Sequence, residues 1–174
     1  MSATSYLAEI FRFFVGILLF VAALGKLKTF VAFQTNLSSS FGLSAQAAKV
    51  VAAAVIVSEL LFSGLVLCPL PINDVGMALS LGMFLLFTGV VAHQYVKEGI
   101  VKCGCFGEAE RSVSAYDLLR NLLIMICIVY YLLYANQHLT LTLPLQLLGA
   151  SFGLILTILA INFHEIFSLL NGTA

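Results

Sequence analysis

The chain has 174 residues, of which 61% are hydrophobic and only 9% charged, and its mean hydropathy is +1.09. Soluble domains carry roughly 25% charged residues, so a water-soluble globule is excluded. Eight Lys and Arg balance eight Asp and Glu, which leaves no basic excess to hold a phosphate backbone and sets nucleic-acid binding aside.

A bilayer core about 30 Å thick takes about 20 apolar residues per helix. The chain therefore holds four or five spans and no sizeable soluble domain besides. The first apolar block runs from Tyr6 to Gly25, interrupted by Glu9 and Arg12 and closed by Lys26 and Lys28. A cleavable signal peptide is the competing reading. The segment before the block has no net positive charge, however, and Ala23-Leu24-Gly25 makes a poor cleavage box. Residues 29–46 mix polar and aromatic side chains and read as an interfacial connector. The second block, 47–68, carries Glu59 and stops at Cys68-Pro69-Leu70-Pro71.

The third block is 75–95, and the most polar stretch of the protein, 96–114, follows it. Ser114 and Asp117 form an N-cap pair that opens the fourth block, 116–135. The fifth, 145–163, contains Gly149-Ala-Ser-Phe-Gly153, a small-xxx-small spacing that permits close helix contact and also arises by chance in apolar helices. Tyr6, Tyr95, Tyr116, Tyr130, Tyr131 and Tyr134 fall near span ends, where aromatic rings sit at headgroup level. The expected architecture is all-α: one polytopic membrane domain of about five spans with a four-helix core.

With five spans, the ends of spans one, three and five and the starts of spans two and four share one face. That loop face collects Lys26, Lys28, Lys49, Lys97, Lys102, Arg111 and Arg120 against Arg12 near the other face. The positive-inside rule places it in the cytoplasm.

Chemistry concentrates in Lys102-Cys103-Gly104-Cys105-Phe106-Gly107. Two thiols separated by one glycine can close a small strained disulfide, and strained exposed disulfides exchange readily. Lys102 favours the thiolate, the attacking form. His93 and His164, near the loop-face ends of spans three and five, either accept a proton from these thiols or sit in interfacial water. Cys68 ends span two on the opposite face and Cys127 lies midway along span four. The two either mark a path across the membrane with the Cys-Gly-Cys pair or are small packing residues. Arg12 and Glu59 are the intramembrane charges. Their similar depths, about 4 to 5 Å apart at 1.5 Å per residue, suggest an interhelical pair. Intramembrane charges are usually paired or functional, and the functional version for Glu59 is contact with a proton or a quinone headgroup.

At these residues the sequence resembles the MauE branch of the DoxX-like membrane proteins, associated with methylamine utilisation and redox maturation of exported proteins. The resemblance rests on Gly25-Lys26-Leu27-Lys28 leaving the first span, Glu59 within the second, and Cys103-Gly-Cys-Phe-Gly107 before the fourth, over about residues 9–135. It implies a helical-bundle thiol-disulfide protein of the bacterial cytoplasmic membrane. It also implies a separate thioredoxin-like partner and a role in maturing a disulfide-rich secreted enzyme subunit. The exchange expected at Cys103 and Cys105 starts when one thiolate attacks a partner's disulfide. The other cysteine then resolves the mixed disulfide, and electrons pass on to a second carrier such as a quinone. The competing function is binding or transport of copper or zinc, with Cys103, Cys105, His93 and His164 as ligands. A cytoplasmic Cys-Gly-Cys loop sits awkwardly with direct oxidation of exported substrates, so the sidedness bears on the mechanism. In intact cells a membrane-impermeant maleimide is expected to leave Cys103 and Cys105 unlabelled even after reduction; strong labelling from outside reverses the assignment.

Overall fold

The structure is a computed structural model and describes residues 3–68, 72–98, 115–135 and 143–163. Among these residues there are six helices and no strand: α1 (Ala3–Lys28), α2 (Phe30–Phe41), α3 (Ala45–Leu67), α4 (Asn73–Glu98), α5 (Ala115–Tyr134) and α6 (Leu143–Ile161). All except α2 are long and apolar enough to cross a membrane. They overlap the five apolar blocks: α1 and α4 run two or three residues beyond theirs at both ends, whereas α3, α5 and α6 begin one or two residues before theirs and end one or two residues short of them. Helical hydrogen bonding continues past the apolar block into flanking polar residues such as Lys26 and Lys28.

The connector at 29–46 contains a helix of its own, α2, which the reading of this segment as an interfacial connector had not resolved. Its punctuation is legible in retrospect. Gly42 adopts the left-handed conformation at φ 62° and its N–H bonds to Ser38 O, the common way for a helix to stop. Two residues on, the Ser44 hydroxyl accepts from the Ala47 N–H at 3.3 Å and opens α3. At the other end of α3, Cys68 is extended, as the residue before Pro69 is pressed to be. The corresponding cap residue expected for α5, Ser114, lies outside the described residues, while Asp117 does fall in the first turn of α5.

Helices α1, α3, α4 and α5 form a closed ring, each packed against the next, with α5 returning to α1. This is the expected four-helix core. Neighbours run antiparallel: Arg12 lies at the level of Val66, Ser58 opposite Met83 and Thr88 opposite Asn121. The ring encloses Val15, Leu18, Leu19, Val66, Met77, Ile124 and Ile128, all at most 1% exposed. Tyr131, 3% exposed, belongs to this core and not to a headgroup belt as its position near a span end suggested. Asp74 of α4 receives its hydroxyl, which makes burial of the phenol tolerable.

The fifth spanning helix, α6, stands outside the ring and packs on α1. The small-xxx-small spacing supplies this contact. A Cβ on Gly153 would lie 2.8 Å from Phe14 N and 3.0 Å from the Phe13 carbonyl carbon, and one on Gly149 would lie 3.2 Å from the Phe13 ring. One turn further, Thr157 Oγ1 donates to Gly153 O at 2.9 Å and reaches Phe14 O at 3.4 Å. With α6 on one side and α3 and α5 on the others, α1 buries half of its most apolar window, against 22 to 28% for the other spans.

Because the atoms facing Gly153 are backbone and cannot rotate away, Gly153→Ala is expected to push α6 off α1 and cost about 1–3 kcal/mol, typical of overpacking. Gly82→Ala, facing open space in α4, should be near neutral. Denaturant unfolding in detergent micelles, comparing the two, checks this.

Candidate functional site

The Cys-Gly-Cys motif, with Lys102, Cys103 and Cys105, lies outside the described residues, as does His164. The helices that flank segment 99–114 are described. They are held together by Asn121 Nδ2 donating to Thr88 Oγ1 at 3.3 Å and by Val91 packing with Phe87 and Leu118. Next to Asn121, Arg120 is 6% exposed and pairs with Asp117 at 3.5 Å, one turn back on α5. Two polar residues and a paired guanidinium thus occupy the α4–α5 end of the ring from which the thiol segment departs. His93 is exposed on α4 at the end of its span.

Cys68 and Cys127 are each partly buried. Cys127 packs against the ring's core, and Cys68 caps α3 at the end of the ring opposite segment 99–114. Among the described residues no group of three or more His, Cys, Asp or Glu side chains could hold a metal ion.

Among the described residues Arg12 and Glu59 each form an ion pair, but not the Arg12–Glu59 pair that depth suggested. Arg12 Nε bonds to Glu9 Oε2 at 2.7 Å on its own helix, and Arg12 Nη1 donates to Val66 O at 2.9 Å. The guanidinium also lies 4.5 Å from the Phe13 ring centroid. Glu59 Oε1 instead accepts from Lys26 Nζ at 2.5 Å. The reason is directional. Side chains on a helix lean toward its N-terminus, and α1 and α3 run antiparallel, so Arg12 leans toward one membrane face and Glu59 toward the other. Lys26, above Glu59 at the end of α1, leans down to meet it. The helix register widens the gap: Arg12 is level with Val66, seven residues from Glu59, or about 10 Å at 1.5 Å per residue.

Glu9 and Lys26 are therefore the partners that depth alone did not reveal. The i,i+3 spacing of Glu9 and Arg12 carried the signal for the first. For the second, the signal was the lean of the two side chains. Lys26 had counted among the loop-face cations, but it is 2% exposed, and so is not a headgroup-level charge. Phe33 of α2, itself 4% exposed, lies over it with the ring centroid 5.9 Å from Nζ. The short helix α2 thus closes the loop-face side of this pair.

A family model for the methylamine utilisation protein MauE matches residues 4–134. The chain belongs to the MauE family. No curated protein and no solved structure matches it. The matched region begins in the first turn of α1 and ends on the last residue of α5, so the match covers the four-helix ring with α2. It includes the ion pairs of Arg12 and Glu59 and Cys103-Gly-Cys105, whereas α6 and His164 lie beyond it.

The pairing makes a double-mutant expectation. Removing one member of a buried pair commonly costs about 3–5 kcal/mol because the other charge is stranded. Arg12→Leu should be destabilising alone and partly rescued by Glu9→Leu. Combined with Glu59→Leu it should simply add, within about 0.5 kcal/mol, because the two sites share no partner. Coupling between Arg12 and Glu59 in thermal unfolding of the four variants would restore the interhelical pair.

Proposed function

We propose that this multi-pass membrane protein of the MauE family is a thiol-disulfide oxidoreductase. Its centre is Cys103 and Cys105, and it works with a separate thioredoxin-like protein in maturing exported proteins. The observation that carries this reading is the Cys103-Gly104-Cys105-Phe106-Gly107 motif, which falls inside the matched family region and on the segment that joins two packed helices of the ring. The reading extends to the DoxX-like branch, the bacterial cytoplasmic membrane as location, and the whole chain as one membrane domain with the thiols on its cytoplasmic face.

The chemistry needs little beyond the thiols. The thiolate of one cysteine attacks a disulfide sulfur of the partner, and the partner's second sulfur leaves and takes a proton. The remaining cysteine, deprotonated, displaces the partner from the mixed disulfide. Cys103 and Cys105 are then joined, and the partner holds two thiols. Run in reverse, the same mixed disulfide oxidises the partner, so one intermediate serves both directions. In that reverse direction the centre is left as a dithiol, and a quinone is the lipid-soluble candidate that restores it, taking two electrons and two protons as the dithiol closes to the disulfide. In the forward direction the second carrier is instead a two-electron donor, such as a quinol or another dithiol, that reopens the disulfide. Lys102, next to Cys103, stabilises its thiolate and favours Cys103 as the attacking residue. His93, exposed on α4, and His164 are the candidate proton acceptors. Cys68 and Cys127 are candidates for onward exchange.

Replacing the resolving cysteine strands the intermediate. One of Cys103→Ser and Cys105→Ser, expected to be Cys105→Ser, should accumulate a reductant-sensitive covalent adduct with a thioredoxin-like protein in cells that express the native neighbours, and the other should not. Non-reducing electrophoresis with mass spectrometry reads this. Adducts from neither variant, with copper or zinc retained stoichiometrically by the wild type and lost by both variants, establish the soft-metal reading instead.

A further inference from the structure

The ion pairs of Arg12 and Glu59 differ in how completely they are satisfied. Arg12 is clamped by Glu9, by the Val66 carbonyl and by the face of Phe13. It cannot leave without breaking all three, which suits a structural strut. Glu59 is 6% exposed, and its Oε1 accepts from Lys26, but its Oε2 is buried and accepts a hydrogen bond from no described residue. A buried acceptor left unmet is costly, and such groups call for an explanation.

Lys26 supplies the second irregularity. It stands two residues from the end of α1, where a lysine ordinarily extends its ammonium outward to the membrane surface. Here the head turns inward, to a carboxylate. The swing between the two positions takes side-chain rotations of Lys26 and of the Phe33 ring that covers it, whereas Arg12, sixteen residues in from that end of α1 and held by three groups, has no such exit.

We propose that Glu59 is a proton-exchange site within the membrane, reached from the loop-face end of the ring, with Lys26 as its movable counter-ion. A proton arriving from water at that end binds Oε2. The carboxylate becomes a neutral acid, the attraction that holds Lys26 inward is lost, and the ammonium turns out to the surface. Loss of the proton reverses the sequence. No bond to carbon is made and no electron moves, so the site is independent of the thiol reaction.

The surroundings select the proton over larger guests. On the same face of α3, Ile56 is 4% and Ala52 0% exposed, Ala22 and Ala23 of α1 are 4% and 0%, and Phe33 of α2 closes the side at 4%. A quinone ring or a hydrated cation would have to displace these groups, and a proton displaces none. The charged groups that face Glu59 are few. From α1 it is Lys26. Helix α2 contains no titratable residue. On α3 itself Lys49 is exposed more than two turns away. On α4, Asp74 lies by Tyr131 at the far end of the ring and His93 is exposed at the near end.

The hydrophobic reagent dicyclohexylcarbodiimide tests the site, since it adds to protonated carboxyl groups inside membranes. In the full-length protein in lipid vesicles, mass spectrometry should find an adduct on Glu59 that grows as the pH is lowered. The adduct should be lost in Glu59→Gln and absent from Glu9. In Lys26→Met, Glu59 has no counter-ion and should be neutral, folded and labelled at every pH. A purely structural pair predicts the reverse: no labelling of the wild type under conditions that label Lys26→Met, which overturns the proposal. Should Lys26→Met fail to fold or to react, infrared difference spectra of the wild type against Glu59→Gln decide. A carboxylic-acid carbonyl band that titrates with pH and vanishes in Glu59→Gln supports the site, and no such band overturns it.

Discussion

The backbone of α1 is approached closely from two directions, and the rest of the bundle is arranged around those approaches. On one side Gly16 admits Leu67 so closely that a Cβ there would lie 2.6 Å from the leucine side chain, and Ser63 donates to the Gly16 carbonyl at 2.8 Å. On the other, Gly153 of α6 lies against the backbone of Phe13 and Phe14. In lipid the hydrophobic effect does not drive helices together, so contact area and hydrogen bonds at close range have to. Gly76 repeats the device between α4 and α3, its Cβ position 2.9 Å from Leu65 Cβ. Small residues thus set the spacing of the ring, and the large ones, Leu18, Leu19, Met77, Ile124 and Ile128, fill what the spacing encloses.

Close packing also dictates how charge is tolerated. A guanidinium or carboxylate in hydrocarbon costs at least about 2.5–3.5 kcal/mol on insertion scales, and the ring meets that cost at both ends. At one end Glu9, Arg12, Asp74 and Tyr131 draw polar groups from α1, α4 and α5. At the other, Lys26 and Glu59 meet across α1 and α3 beneath α2. Arg120 and Asn121 of α5 are also buried, with partners on α5 and α4, and among the described residues Ser63 and Ser80, both of which donate to backbone carbonyls, are buried in the ring as well.

Much of this was legible in the sequence. Span number and position follow from apolar length, because no other structure satisfies the backbone in lipid. Pairing was harder to read. The depth of Arg12 and Glu59 is a one-dimensional quantity, and the pairing was decided by the antiparallel run of the helices and the direction in which side chains lean. Gly149 and Gly153 illustrate a different limit: the motif was visible, but only the position of α6 against Phe13 and Phe14 shows that it is used. Tyr131 lay near a span end, as an interfacial tyrosine would, and was drawn inside by Asp74 on a neighbouring helix. Each of these depends on which helices are neighbours, and that information is not local.

The pairing of Glu9 with Arg12 on a single helix bears on biosynthesis. The first span enters the membrane before any later helix exists to shield it. An arginine awaiting a partner on α3 would have to be inserted bare, whereas the intrahelical pair travels with its own counter-charge and needs nothing from the unmade chain. Lys26, by contrast, can wait at the translocon's edge with its ammonium in water until Glu59 emerges some thirty residues later. The order of synthesis and the order in which charges are neutralised are thus compatible: the self-contained pair goes in first, and the pair that joins two helices closes when the second arrives.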